Sequence, residues 1–436
     1  MAENGSKQYR CTLPSSHLNL SARGAITPCC NFEWQSSDYY KEPKNTSQNQ
    51  FIKDTFGTDK YNYHWIQDAG IGAVLHSKDW QQMRKKSAKN IPESGCKNCY
   101  FSEKTSNSSR RLWANDKFPT ADSETKLRSL ELKLGAKCNL ECRSCSGSIS
   151  NKLLREDSYL NSGKIDKPFI RQVQALSSWV QDDKVWDEIK SVSSDLEYIQ
   201  FTGGEPMIIP QQYTYLEWLA ENNIDPAIQY ITNGTVGVDD YKKQLWDNFS
   251  SLTIDFSLDA TTKLGEYIRT GSVWDEQIKN VDSVVSYMID RKQNQLNSEL
   301  GIAITVSIMN VTNIRAIMDY VNEVNEKYSS IGTISMSINI VRSPEWQDCA
   351  NLIGEAKEIA TQHIQSVIDD ERYVHQHRMK LYTVLDEINL DPTSDVRFTD
   401  KIAEKDRVHN LINTHRDISY QRELPEWWET LLRSGM

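Results

Sequence analysis

The sequence has no long apolar run, no excess of basic residues and almost no cysteine in its second half. No apolar stretch approaches the roughly 18 residues of a membrane-spanning helix, so we expect no membrane contact. The 50 lysines and arginines are outnumbered by 60 aspartates and glutamates, which gives a net charge of −10. Because phosphate contacts need clustered basic side chains, this balance argues against nucleic acid as a partner.

The first residues, from Met1 to Lys7, are polar and do not resemble a secretory signal, so we expect a cytoplasmic protein. In a reducing compartment, nine cysteines favour metal or redox use over a disulfide framework. Eight of the nine lie before residue 146 in two spaced sets, and only Cys349 stands apart. We expect Cys349 to be a small buried apolar side chain.

Three cysteines, Cys138, Cys142 and Cys145, lie in one eight-residue segment just after a strand-like run at 130–134. Three thiolates in a tight loop can bind three irons of a four-iron cluster and leave the fourth iron open to a small ligand. The alternative is structural zinc. Zinc normally takes four protein ligands, often as two separated C-x2-C pairs, and three cysteines in eight residues fit that pattern less well.

This C-x3-C-x2-C spacing resembles the signature of the radical S-adenosylmethionine (SAM) superfamily. The resemblance implies that Cys138, Cys142 and Cys145 hold a catalytic 4Fe–4S cluster whose open iron binds SAM. It implies reductive cleavage of SAM to a 5′-deoxyadenosyl radical, which abstracts hydrogen from a substrate, and an electron donor of the flavodoxin or ferredoxin type. The residue before the third cysteine is often aromatic in that family. Here it is Ser144, so an adenine contact must come from elsewhere.

The earlier cysteines form a second pattern, in which a Gly24-x4-Cys29 hairpin is followed, beyond a predicted helix at 79–88, by a C-x2-C knuckle. This pattern resembles the SPASM/twitch modules of many radical SAM enzymes, although such a module usually follows the barrel. The resemblance implies one auxiliary 4Fe–4S cluster, and Cys30 could replace its neighbour as a ligand. A closed set of four thiolates also suits zinc, so zinc remains an alternative to iron–sulfur for these cysteines. The implied ligands are Cys11, Cys29, Cys96 and Cys99.

Strand-like and helical segments alternate through the middle of the chain, which indicates an α/β architecture with a parallel sheet. Six such units resemble the partial (β/α)6 TIM-type barrel of the superfamily. We therefore expect a small N-terminal cysteine-rich, twitch-like module with a linker at 1–127, the barrel at 128–345 and a helical C-terminal extension at 346–436. The predicted strands are 130–134, 197–202, 227–232, 252–258, 301–309 and 333–341, and the main predicted helices are 169–192, 211–222, 311–327, 355–370 and 379–388.

Glycine and polar side chains follow several predicted strands, where barrels of this kind bind ligands. Two adjacent glycines let the backbone approach a ligand, and the next glutamate can accept a hydrogen bond from an ammonium group. This segment resembles the family's GGEP motif, which binds the SAM amino group. The other polar residues are weaker candidates, because turns and surface side chains share these patterns. The candidate cofactor-binding residues are Gly203, Gly204, Glu205, Pro206, Asn233, Ser257, Asp259, Arg269 and Asn310.

Taken together, these patterns predict an iron–sulfur enzyme that cleaves SAM and abstracts hydrogen from a peptide or a small molecule. A fully ligated auxiliary cluster has no open iron, so we expect it to act as an electron conduit in an oxidation or a peptide crosslink. Two alternatives remain. One is a zinc-stabilised binding protein without catalysis, and the other is a degenerate radical SAM fold used as a scaffold. The sequence does not identify the substrate.

Overall fold

The computed structural model describes residues 9–32, 64–106, 109–119, 126–329 and 332–390. Residues 41–60, whose lysine, asparagine, serine and threonine content predicts a surface loop, lie outside these ranges, as does the tryptophan-containing run after Pro392. Across the described residues, no helix is both long and apolar enough to cross a membrane.

Two compact units divide the chain, and each combines two chain segments. The first unit comprises Met1–Ala136 and Gln172–Ile228, and the second comprises Lys137–Arg171 and Gln229–Met436. The strands of the described ranges, in chain order, are β1 His17–Leu20, β2 Ala25–Thr27, β3 His64–Trp65, β4 Ser129–Lys133, β5 Glu141–Cys142, β6 Tyr198–Thr202, β7 Ala227–Thr232, β8 Ser251–Ser257, β9 Arg269–Thr270, β10 Asn297–Val306 and β11 Ser335–Ile340.

The helices of the described ranges are short at the N-terminal end of the chain and longer after residue 270. In chain order they are α1 Leu13–Ser16, α2 Ile71–Leu75, α3 Lys78–Ala88, α4 Lys97–Ser106, α5 Arg110–Lys117, α6 Leu154–Ser162, α7 Lys167–Leu176, α8 Asp183–Ser191, α9 Pro210–Glu221, α10 Asp240–Trp246, α11 Thr262–Ile268, α12 Trp274–Gln293, α13 Ile314–Tyr328, α14 Gly354–Ile368, α15 His375–Lys380 and α16 Tyr382–Ile388.

In the first unit the strands follow the order β6-β4-β1-β2-β3. β4 pairs in parallel with β1 and with β6, whereas β2 pairs antiparallel with both β1 and β3. Leu18, Leu130 and Ile199 are register partners across the parallel strands, and all are fully buried. Gly24 closes the β1–β2 turn with a φ of +87°, a region that favours glycine, and the predicted hairpin is confirmed.

In the second unit the strand order is β11-β10-β8-β7, and β10 pairs in parallel with β8 and β11. Side chains of β8 alternate, so Leu252, Ile254 and Phe256 are buried while the polar residues between them are half-buried. Such alternation places an apolar face against packed helices and leaves a polar face for other contacts. α12 and α13 each bury a row of apolar side chains at helical spacing.

The predicted α/β architecture with parallel pairing is confirmed, and each of the six predicted strands exists with ends shifted by at most a few residues. Closure of a partial barrel and the linear domain boundaries stay predictions. The single helix at 169–192 is wrong, because a tight 3-10 turn at Ser177–Gln181 separates α7 from α8. There Trp179 and Val180 turn inward, and Asp182 caps α8 by accepting from the backbone of Lys184.

The polar composition of residues 101–125 predicts a linker, and this prediction is wrong in its first part, where α4 continues to Ser106 and α5 follows. Ser109 begins α5 because its side chain accepts a hydrogen bond from the backbone of Leu112. Near the C-terminal end of the described chain, the segment predicted as one helix at 379–388 begins earlier and is divided into α15 and α16.

A buried arginine connects α12 to the segment before β8, and its loss is expected to destabilise the second unit. Arg291 is 1% exposed, donates to the carbonyls of Trp246 and Phe249 at 2.7 and 2.8 Å, and pairs with Asp247 at 3.0 Å. Arg291→Met should leave these acceptors unpaired and lower the free energy of unfolding by about 3 kcal/mol. Urea denaturation measures this. Arg372→Met, at a side chain that is 66% exposed, is the control and should change little; equal effects would contradict the assignment.

Candidate iron–sulfur sites

Four cysteines that are distant in sequence lie together in the first unit. Cys11, Cys29 and Cys99 are buried, and Cys96 is half-buried. Burial raises the pKa of the Cys29 thiol well above its ordinary value, and the neighbouring Cys30, Cys11, Cys96 and Cys99 raise it further. Cys29 therefore experiences the charge of its neighbours, and a bound cation would relieve the cost of ionising these thiols in one place.

The elements around these cysteines are joined by hydrogen bonds from side chains to the backbone. The backbone N–H of Cys11 donates to Ser87 Oγ at 2.8 Å, and Ser87 Oγ donates in turn to the Cys11 carbonyl at 2.6 Å. At the hairpin, Thr27 Oγ1 donates to the Cys29 carbonyl at 2.9 Å. Cys96 lies in a 3-10 turn that leads directly into α4, which carries Cys99. The cysteine positions are thus set by the end of α3, the hairpin and the start of α4.

Cys30 points to different neighbours from Cys29. The residue is exposed, but its thiol is partly shielded from water, and this shielding together with the nearby Glu131 carboxylate of β4 raises the pKa of the thiol. Glu131 itself is buried and lies 3.4 Å from Arg110 Nη2 and 3.8 Å from Lys133 Nζ. Because the Cys30 thiol belongs to this charged group, the geometry favours Cys29 as the fourth cysteine of the set.

The second set, Cys138, Cys142 and Cys145, lies in the second unit, and all three residues are half-buried. The loop closes on itself: the Cys145 N–H donates to the Cys142 carbonyl at 3.1 Å, and the Leu140 N–H donates to Cys138 Sγ at 3.4 Å. Burial raises the pKa of Cys142 to about 12 and of Cys145 to about 11, and the other loop cysteines add to both increases. The three thiols therefore share one neighbourhood, as the sequence predicts for a cluster loop.

A short antiparallel pairing holds this loop. β5 pairs with β9, and Cys142 is the register partner of Arg269. Next to it, the Arg143 N–H donates to the Ile268 carbonyl at 2.9 Å. The Arg143 guanidinium lies over the Tyr267 ring, 3.8 Å from its centroid, and Nε donates to the Tyr267 carbonyl at 3.1 Å. The loop is thus fixed by the α11–β9 segment through main-chain and cation–π contacts.

The side chain of Arg269, a predicted partner for the SAM carboxylate, lies beside the cysteine loop, and its contact with SAM stays a prediction. Its Nε lies 2.8 Å from Asp259 Oδ2, and its Nη1 lies 3.9 Å from Cys142 Sγ, within the range of a hydrogen bond to sulfur. The side chain of Arg269 is 12% exposed and that of Asp259 is 1% exposed. Burial opposes the charge of Arg269, but Asp259 and Cys142 raise its pKa above the ordinary value.

The GGEP turn follows β6 and packs against the end of β4. Gly203 has a φ of +119°, and a Cβ there would lie 2.7 Å from the backbone nitrogen of Leu134. The Gly204 N–H donates to the Gly135 carbonyl at 3.3 Å. Glu205 is fully buried, and its Oε1 accepts from the Met207 N–H at 3.0 Å, which caps the 3-10 turn that begins at Pro206. The motif therefore touches the segment that leads into the cysteine loop.

The remaining candidates lie in different surroundings. Asn233 Nδ2 donates to Asn139 Oδ1 at 2.9 Å and lies 3.9 Å from Cys138 Sγ, so it contacts the cysteine loop. Ser257 ends β8 and is half-buried. Asn310 is fully buried, and its Nδ2 donates to the carbonyls of Asp259 and Thr305 at 2.6 and 3.0 Å. Its amide connects the ends of β8 and β10, and its predicted contact with SAM stays a prediction.

Cysteine thiolates are the ligands that iron–sulfur clusters prefer, so both donor sets fit such a group. In the described ranges, however, no three Cys, His, Asp or Glu side chains already stand in a metal-binding arrangement. The thiols have raised pKa values, so ligation requires their deprotonation and a rotation of side chains toward a common centre. Cys349 is fully buried and, as predicted, behaves as a small apolar side chain.

Sequence reasoning missed three residues that position the cysteines: Glu131, Arg143 and Gln347. Gln347 Nε2 donates to the Arg143 carbonyl at 2.7 Å across 204 positions of sequence. Arg143 directly follows the predicted ligand Cys142 in the sequence, and this adjacency was the one signal that could have pointed to any of the three. No local pattern links Gln347 or Glu131 to a cysteine, because both contacts depend on tertiary packing.

Comparison with known proteins identifies the first cysteine set. Residues 11–100 match the SPASM family model, an iron–sulfur cluster-binding domain. This part of the chain is therefore a SPASM domain. The predicted SPASM/twitch-like module on the N-terminal side is confirmed, and the match favours iron–sulfur over zinc there.

No curated protein matches the chain. Among solved structures, native anSMEcpe with bound AdoMet and the Cp18Cys peptide is 13% identical, over 64% of this chain and 65% of its own, with a TM-score of 0.34. SuiB of Streptococcus suis is 13% identical, over 80% of this chain and 68% of its own, with a TM-score of 0.31. The chain thus spans 65% of the length of the first of these structures.

The different surroundings of Cys29 and Cys30 lead to a prediction about metal content. Cys29→Ser should lose the iron of the SPASM domain, because it removes one of the four thiols that we expect to bind the cluster. Cys30→Ser is the matched control at the adjacent position and should keep that iron. Iron per chain after anaerobic reconstitution measures both. Iron loss in the Cys30 variant with retention in the Cys29 variant would reverse the assignment.

The close approach at Gly203 predicts a strong effect of a single methyl group. Gly203→Ala should lower the free energy of unfolding by about 3 kcal/mol, because its Cβ meets backbone atoms and its φ suits glycine. Gly72→Ala, where a Cβ meets nothing within 4 Å, is the control in the same unit. Thermal denaturation compares the two. Equal melting temperatures would show that the GGEP turn can move away from β4.

Proposed function

We propose that this protein is a radical SAM enzyme with an auxiliary cluster in its SPASM domain. In this proposal Cys138, Cys142 and Cys145 bind a 4Fe–4S cluster with one open iron, and the GGEP turn binds the amino group of SAM. When bound, the cluster would supply the single electron that cleaves SAM. The cleaved SAM would supply the 5′-deoxyadenosyl radical that takes hydrogen from the substrate. The substrate is a peptide or a small molecule.

The observation that carries the proposal is the loop of three neighbouring thiols held by the β5–β9 pairing. The Arg143 stacking on Tyr267 and the Gln347 hydrogen bond hold the loop backbone in position. A structural zinc site would call for a fourth protein ligand. The side-chain nitrogens of Asn233 and Arg269 each lie 3.9 Å from a loop sulfur, that of Cys138 and that of Cys142 respectively. These are donors, which stabilise a thiolate-bound cluster but cannot act as the missing ligand.

The GGEP turn supports the same function through its backbone. Gly203 and Gly204 lie against the segment of residues 133–135, which directly precedes the cysteine loop in the chain. Glu205 is fully buried at this turn, and a carboxylate can accept hydrogen bonds from an ammonium group. Ser257 and Asn233, each at or just beyond the end of a strand, are the further polar groups that we assign to SAM.

The SPASM domain supports an oxidative outcome. With Cys11, Cys29, Cys96 and Cys99 as ligands, its cluster has four protein thiolates and leaves no iron open to the substrate. Such a cluster acts in electron transfer and not in substrate ligation. We therefore propose that it accepts the electron that the substrate radical loses, with a flavodoxin- or ferredoxin-type protein as the external partner.

The proposal is tested by metal content and SAM cleavage in one anaerobic experiment. The reconstituted chain should hold about eight irons, as two four-iron clusters require. With dithionite and SAM it should release 5′-deoxyadenosine. Cys145→Ala should abolish that release and keep the iron of the SPASM domain, while Cys30→Ser should leave the release unchanged.

Two outcomes would contradict the proposal and separate its alternatives. Zinc in both sites without SAM cleavage would indicate a zinc-stabilised binding protein. Two iron–sulfur clusters without any 5′-deoxyadenosine would indicate a radical SAM fold that serves as a scaffold.

A further inference from the structure

We propose that an exposed basic face beside the cysteine loop, formed by Lys137, Lys152, Arg155 and Lys167, is the docking surface for an acidic one-electron donor protein. The inference rests on the proposed function, because it names the surface through which the cluster of the cysteine loop would receive its electron. The transfer is a single-electron step, in which the donor is oxidised by one electron and the loop cluster is reduced by one.

The segment Lys137–Arg171 of the second unit has the opposite charge balance from the whole chain. It carries seven lysines and arginines and four aspartates and glutamates, a net charge of +3, whereas the chain has a net charge of −10. Two of its acidic side chains are held by the backbone of the segment itself. Asp157 Oδ2 accepts from the Gly147 N–H at 2.6 Å, and Asp166 Oδ1 accepts from the Phe169 N–H at 3.1 Å. The positive charge of the segment is therefore the charge that a partner meets.

The four cations of the basic face differ from other cations of the same unit in their partners. Arg291, Arg315 and Arg342 each pair with a carboxylate. The four side chains of the basic face are exposed, and none of them forms an ion pair with another described residue. Like charges left without a counter-charge attract an anionic partner and speed its approach, so this arrangement favours a complex with an acidic protein.

The outer side of α6 and of the turn before it combines charge with an apolar ring. Lys152, Arg155 and Tyr159 follow one another at helical spacing, and all three are exposed, whereas Leu153 and Leu154 between them are each 2% exposed. This stripe therefore faces away from the packed interior of the unit. An aromatic side chain beside arginine is the composition that protein interfaces favour.

The loop that follows α6 extends this surface. The Asp166 N–H donates to Ser158 Oγ at 2.7 Å, which holds the loop against α6. Ile165, in this loop, is 39% exposed, and Lys167 begins α7 next to it. A small patch of apolar side chains with surrounding cations suits the brief encounters of electron-transfer partners, which bury little area and depend on charge for their association rate.

The basic face is joined directly to the cysteine loop. Lys152 Nζ donates to the Asn139 carbonyl at 2.9 Å, and Ser150 Oγ donates to the Leu140 carbonyl at 2.9 Å. Both acceptors lie between Cys138 and Cys142 in the chain, and Lys137 directly precedes Cys138. The loop cysteines are half-buried, so an electron that arrives at this face has only the loop itself to cross.

The first test measures binding of flavodoxin to the reconstituted full chain by isothermal titration calorimetry at low ionic strength. Arg155→Glu should weaken binding about fivefold, and Arg155→Glu with Lys167→Glu should weaken it further, because attractive charges become repulsive. Lys279→Glu, at an exposed lysine of α12 in the same unit, is the matched charge reversal and should leave the affinity unchanged. Added salt should weaken binding of the unaltered chain and reduce its difference from the double variant.

The second test separates donor docking from damage to the cysteine loop. With excess dithionite, which needs no docking surface, the double variant should release 5′-deoxyadenosine at the rate of the unaltered chain. With limiting flavodoxin, kept reduced by NADPH and its reductase, release by the double variant should fall as its affinity falls.

Several results would overturn the inference. They are equal affinities of the double variant and the unaltered chain, an equal loss of release with dithionite, and no binding of either flavodoxin or a ferredoxin. A short single-stranded RNA that binds this face more tightly than flavodoxin would overturn it in favour of a nucleic acid surface. An unaltered chain that binds flavodoxin but releases no 5′-deoxyadenosine with dithionite would instead overturn the proposed function.

Discussion

The cysteine loop depends on the pairing of β5 with β9, because this short ladder sets the position of Cys142 and of the arginine opposite it. Two strands of two residues each are not stable alone. The stacking of Arg143 on Tyr267 and the hydrogen bond from Gln347 supply the additional contacts. These contacts hold the loop backbone in position, and a site that is already positioned loses less entropy when a ligand binds.

Buried charge is the second constraint on this structure. Glu131, Asp259 and Arg269 are each taken out of water, and each is placed beside an opposite charge. Burying an ion is costly unless it is paired and hydrogen-bonded, so a stabilising role alone would not favour such groups. Glu131 lies near Cys30 and Arg269 lies near Cys142, so both charged groups stand beside cysteines.

Much of the fold was predictable because its signals are local. Apolar runs of five to seven residues gave β4, β6, β7 and β8 within one or two residues of their ends. The division between α7 and α8 was not predictable, because the turn at Ser177–Gln181 depends on the burial of Trp179 and Val180. The helices in the region predicted as a linker were missed because their polar residues also suit a loop.

By itself, the sequence determined the chemistry of the two sites: which thiols occur, how they are spaced and where glycines allow a close approach. Spacing along the chain is a local property, so a motif such as C-x3-C-x2-C or GGEP needs no fold to be recognised. Only the tertiary structure decided that Cys30 faces Glu131 while Cys29 joins the other cysteines, and that Arg269 faces Cys142. The latter contact joins residues 127 positions apart, and it arises from strand pairing that no local pattern specifies.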